Sequence, residues 1–149
     1  MKINTSRFGE LDVQQENILI FPNGILGFEK CTKYSLFNEE KDQPMVFWLQ
    51  SMDDPEVVFS VVDPAAFGLN FQIALTDDEA KLLEAPDTKD IAVMLMLYRP
   101  LMEAGDKLVL SAGVAANING PLLINLSSKR GMQKMMLPGT GMVSPASGS

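Results

Sequence analysis

The chain contains no histidine and only one cysteine among its 149 residues. Without imidazole there is no histidine general base, no Ser-His-Asp or Cys-His nucleophilic pair, and no zinc or haem site that depends on a histidine ligand. Cys31 alone can form neither an intrachain disulfide nor a CxxC pair, and a lone thiol suits a reducing compartment, so the expected location is the cytoplasm. The opening residues MKINTSRFGE lack the apolar core of a secretory signal. A long uncharged stretch, 108–128, is broken by Asn117, Asn119, Gly120, Pro121 and Asn125, which hydrocarbon would not tolerate, so no membrane span is expected. No glycine-rich segment matches a Walker A loop or a dinucleotide fingerprint. Neither a phosphate cradle nor a cofactor is therefore expected.

What is present is an ordinary single-domain balance of 46% hydrophobic and 21% charged residues, enough to build a core without disulfides. The net charge of −7 is unevenly spread, since all 19 acidic residues precede Lys107 while 107–149 holds only basic ones. An acidic body repels nucleic-acid phosphate and attracts basic proteins. Direct nucleic-acid binding is not expected.

Short apolar runs between turn residues dominate, and few windows hold a helical period. Strands are expected at 2–8 and 11–14 around a Gly9-Glu10 turn, at 17–21 before Pro22-Asn23-Gly24, and at 34–37, 45–51, 56–62 and 69–75. Further strands are expected at 91–98, 108–117, 121–127 and 132–137. Thr76-Asp77-Asp78-Glu79 matches a capping box and predicts a short helix over 77–85, ending before Pro86. So many short strands point to a mostly β chain, a small antiparallel barrel-like single domain over 1–137 with one or two short helices. The Gly/Ser/Pro-rich residues 138–149 have little to bury and are expected to form a flexible tail.

Chemistry could be sought in Asp53-Asp54, in Asp63 or in Cys31 beside Lys30 and Lys33. Aspartate before proline caps turns and free cysteine is among the most buried residues, so structural roles are preferred for all of them. Trp48, Phe47 and the methionines in strands read as core, and exposed loop acids such as Asp53 and Asp54 should be replaceable at little cost.

Three segments taken together resemble a known family. They are Phe21-Pro22-Asn23-Gly24-Ile25-Leu26-Gly27-Phe28-Glu29, then Trp48-Leu49-Gln50-Ser51-Met52-Asp53-Asp54-Pro55 with Phe59 and Asp63-Pro64, and then Ala116-Asn117 to Pro121 with Asn125. With Lys2 to Gly9 they are similar to the flagellar assembly factor FliW family over about 2–137. The resemblance implies a monomeric β-barrel-like protein without enzymatic activity that binds flagellin in the bacterial cytoplasm. When flagellin is exported, such a protein binds the basic translational regulator CsrA, the carbon storage regulator, and relieves its repression of flagellin synthesis. The acidic body suits that basic partner. Residues 108–116 are less polar than the family's usual segment, and the basic, methionine-rich end replaces a more acidic one. Partner contact is expected at polar residues near the motifs, namely Gln50, Asp53, Asp54, Glu56 and Asn117. The rival reading is a small flavin- or ligand-binding barrel enzyme, since such folds host many functions.

Overall fold

The computed structural model describes residues 1–38, 46–67, 69–72, 74–86, 88–98, 108–111, 114–118, 120–135 and 142–145. Thirteen strands among these residues are β1 (Lys2–Thr5), β2 (Gly9–Asp12), β3 (Leu19–Ile20), β4 (Lys33–Phe37), β5 (Val46–Ser51), β6 (Val58–Val62), β7 (Leu69–Gln72), β8 (Ile91–Tyr98), β9 (Leu108–Ser111), β10 (Val114–Ala116), β11 (Leu122–Asn125), β12 (Arg130–Gln133) and β13 (Met142–Pro145). One α-helix, α1, spans Asp77–Leu83, and 3-10 turns cover Gln15–Asn17, Pro64–Phe67 and Thr88–Asp90.

Seven strands close on themselves in the order β11-β12-β3-β4-β5-β6-β8, with β8 returning to β11. The barrel is antiparallel at every pair but one. β12 runs parallel to β3 and meets it through a single pair, Arg130 with Ile20. β8 makes closure possible because one of its edges serves two strands. Ile91–Met94 pair with β11, and Leu97 and Tyr98 pair with β10.

The alternation of strand side chains explains why β8 is apolar throughout. Met94 and Met96 point into the barrel with Leu49, Val61, Leu122, Ile124, Phe21 and Tyr34. Ile91 and Val93 point outward with Leu123 and Met132 against Leu83 and Ala85 at the end of α1. Leu95 and Leu97 also face outward, into a third cluster with Val62 and Ala116. Cys31 is buried in the barrel core, as expected of a structural thiol.

The capping box is present in full: the Thr76 hydroxyl accepts from the Glu79 N–H and the Glu79 carboxylate accepts from the Thr76 N–H. Glu79 is held a second time by Lys134, whose Nζ lies 2.7 and 2.9 Å from its two carboxylate oxygens. Burial alone would raise the Glu79 pKa, but the Lys134 and Thr76 contacts outweigh it and the net shift is downward from 4.5. A lowered folded-state pKa means this group stabilises the fold at neutral pH and loses that contribution as pH falls below 4.5 through the folded value. Lys134→Met is expected to cost about 2 kcal/mol at pH 7 and to flatten the acid side of the stability curve, read by urea titration between pH 3 and 7. An unchanged acid limb would assign the acid sensitivity to another carboxylate.

Three sequence expectations are corrected. The first hairpin turns at Ser6–Phe8 and not at Gly9-Glu10, because the Thr5 hydroxyl donates to the Gly9 carbonyl and accepts from the Phe8 N–H, closing the turn earlier. The run 108–117 is two strands, β9 and β10, paired with each other through an irregular register. Residues 138–149 are not wholly an unpaired tail, since Met142–Pro145 pair antiparallel with Leu69–Gln72. Main-chain pairing needs no apolar side chain, so composition gave no sign of it.

Candidate functional site

Four of the five residues expected to meet a partner share one turn, between β5 and β6, and the structure gives them unequal roles. Gln50 is completely buried. Its amide Nε2 donates to the carbonyls of Ser51, Pro55 and Val57 at 2.9, 3.4 and 3.1 Å, while its Oε1 has no partner among the described residues. It ties the turn together from beneath and offers no surface, which corrects its assignment as a contact residue. The sequence points to it only as a polar residue near the family segments; the structure places it in β5 opposite Ser35, beneath the turn.

Asp53 is exposed, but its Oδ2 accepts from the Thr32 and Lys33 N–H groups at 2.8 and 3.0 Å. Asp54 Oδ1 accepts from the Glu56 N–H. The Ser51 hydroxyl accepts from the N–H groups of both Asp53 and Asp54 at 3.0 Å. The aspartate pair is thus a turn cap, and reversing its charge would strip Thr32 and Lys33 of their acceptor. Such substitutions are therefore expected to cost stability, where the sequence alone led us to expect little cost. Glu56 is exposed, and among the described residues its carboxylate accepts no hydrogen bond. Asn117 lies elsewhere, in the loop after β10, where its Oδ1 accepts from the Gly120 N–H.

Two surface features lie within the family segments, at residues not expected to meet a partner. Arg7 stacks its guanidinium 4.2 Å from the Trp48 ring centroid, and Phe8 packs edge-on against both Trp48 and Phe37. Trp48 is only half-buried and belongs to this outer cluster, not to the barrel core. The first hairpin is fastened here too, through the Ser6 N–H and the Pro55 carbonyl.

The second feature is the loop after β3. Gly24 adopts φ +67°, and a β-carbon there would lie 2.6 Å from the Glu29 Cα, so the Pro22-Asn23-Gly24 turn requires glycine. This turn presents Leu26 and Phe28, 65% and 39% exposed. Gln133 ties the turn to the loop before β11, accepting from the Leu26 N–H and donating to the Gly120 carbonyl. Phe28 is not fully tucked in, although it meets Phe59 edge-on at 5.1 Å.

Comparison with known proteins now assigns the frame that carries these surfaces. The family model described as FliW protein matches residues 2–141. The chain belongs to the FliW family. It is 40% identical over 135 residues to the flagellar assembly factor FliW of Chromobacterium violaceum, covering 90% of this chain and 92% of that one. It is 38% identical over 136 residues to the flagellar assembly factor FliW of Azoarcus sp., covering 91% of each. A crystal structure of the flagellar assembly factor FliW superposes with a TM-score of 0.75 over 98% of this chain and 96% of the other, at 23% identity. That likeness establishes the fold as the FliW fold. Among the described residues no helix is long and apolar enough to cross a membrane.

Proposed function

We propose that this chain is a non-enzymatic, cytoplasmic regulator of flagellar assembly that binds flagellin before export and, once flagellin has left, binds CsrA and relieves its repression of flagellin synthesis. The observation that supports this most is the near full-length match to FliW relatives, over nine-tenths of both chains. The acidic residues gathered before Lys107 suit a basic regulator. The lone buried thiol fits a reducing compartment. Of the three acids expected at the contact, Glu56 suits such a partner best, since among the described residues its carboxylate accepts no hydrogen bond, whereas Asp53 and Asp54 each give one oxygen to the turn.

Calorimetry with soluble flagellin monomer is expected to give saturable heat below about 100 μM, a level worth roughly −5.5 kcal/mol. CsrA is expected to bind the free chain with an on-rate that falls as salt rises, because exposed charges steer the encounter. Absence of saturable heat with flagellin would overturn the reading, and a yellow, flavin-loaded purified protein would favour the ligand-binding barrel instead.

A further inference from the structure

The barrel is closed, but β3 is short, and part of the β4 edge facing it has no partner strand among the described residues. Phe21 N–H donates to the Thr32 carbonyl on the β3 side of β4, whereas Met52 N–H donates to the Lys33 carbonyl on the β5 side. Main-chain groups of successive strand residues alternate between the two edges, so Tyr34 and Leu36 present theirs toward β3. β3 meets β4 only through Leu19 with Tyr34 and Ile20 with Lys33. The residues before it leave the sheet as the Gln15–Asn17 3-10 turn. Beyond Tyr34, therefore, no described strand pairs with this edge, and the N–H and C=O of Leu36 face outward from the sheet.

Leu36 also lines a cleft of about 550 Å³. Leu19, Leu36, Leu126 and Val13 give it apolar walls, and Leu126 is 49% exposed in the turn between β11 and β12. Two charged side chains line it. Asp12 lies 3.7 Å from the Met1 amino group. Lys129, half-buried and held at φ +61°, has no ion-pair partner among the described residues. An open strand edge, an apolar slot and an uncommitted cation together specify an extended peptide. Its backbone would continue β4, an aliphatic side chain would fill the slot, and a carboxylate would meet Lys129.

We infer that this cleft takes an extended, acidic-aliphatic segment of flagellin by strand addition to β4. The inference rests on the functional reading above. Of the two partners, CsrA is basic and is matched by the acidic surface, so the uncommitted cation of the cleft selects the other.

The test pairs two variants with one amide probe on the intact chain. Leu126→Asp charges an exposed wall of the slot. Lys129→Gly removes the cation while placing glycine at a left-handed position, which does not weaken the turn. Each is expected to weaken flagellin binding about tenfold in calorimetry, with the melting temperature unchanged or, for Lys129→Gly, raised. Leu26→Asp, at a still more exposed leucine outside the cleft, is expected to bind as the parent does. Flagellin is also expected to slow hydrogen exchange at the Leu36 amide, followed by NMR. Variants that bind like the parent, or an unprotected Leu36 amide in the flagellin complex, overturn the inference. So does a loss at Leu26→Asp equal to that at Leu126→Asp, which moves the contact to the Leu26–Phe28 loop. Protection of Leu36 by CsrA but not by flagellin overturns the choice of partner. A parent chain that gives no saturable heat with flagellin fails at the earlier step and overturns the functional reading itself.

Discussion

Gly131→Ala is expected to lower the stability of the folded chain by about 3 kcal/mol, the upper end of what overpacking a filled core costs. Gly131 sits in β12 opposite Ile124, next to the one parallel pair that closes the barrel. A β-carbon there would lie 2.5 Å from two atoms of the Phe21 ring. The ring has nowhere to retreat, since Phe21 is fully buried and packs edge-on against Tyr34 at 5.2 Å. The alternative is for β12 to move away from β3, and a seam of one residue pair has little pairing to spare. For a chain of about 150 residues the expected fall in melting temperature is roughly 10 °C, and urea titration should show the midpoint moving with the slope unchanged. Adding Phe21→Leu to Gly131→Ala should recover part of the loss, because the two changes share one space. Additive losses in the double variant would show that the ring is not what excludes the methyl group.

Gly131 also marks where the sequence stopped being legible. The segment Ser127–Gly131 has the composition of a polar turn, yet Arg130 and Gly131 already belong to β12. The glycine is there to admit a phenyl ring from a segment more than a hundred residues earlier, and nothing local records that. Elements whose cause is local were readable. The capping box placed the start of α1, and the long apolar run of β8 announced a strand buried on both sides. The family segments identified the fold, because they are the turns and packing residues that build it. The same property misled the search for a site. Gln50, Asp53 and Asp54 stood out as polar residues within those segments, and two of them cap the turn while Gln50 lies beneath it. The cleft beside β4 left no mark in the sequence at all, because it is defined by where β3 ends.

Asn125→Ala is expected to cost about 3 kcal/mol at neutral pH, since Asn125, almost fully buried, satisfies two elements at once. Its Nδ2 donates to the Leu83 and Glu84 carbonyls at the end of α1, at 3.1 and 3.3 Å. Its Oδ1 accepts from the Ser127 and Ser128 N–H groups that turn the chain from β11 into β12. Truncation leaves both sets without this partner. The Ser128 hydroxyl, which also donates to the Leu83 carbonyl, can replace only part of the loss. Asn125→Asp separates the two halves of the role. A carboxylate can still accept from the two serine amides, but it sets a negative charge against two carbonyl oxygens in a buried site, so its folded-state pKa must rise above the unfolded value of about 3.9. With a raised carboxyl pKa the penalty is full above the folded value, shrinks as pH falls and vanishes below the unfolded value. The protonated acid can also donate to one of the carbonyls. Asn125→Asp should therefore gain stability relative to Asn125→Ala as pH is lowered from 7 to 4, against the direction that Glu79 imposes on the parent chain. Denaturant titrations of the two variants at each pH read the difference directly. A constant gap between them would mean that the helix carbonyls find water when the amide is lost, and that the bond from Asn125 to α1 is not what docks the helix.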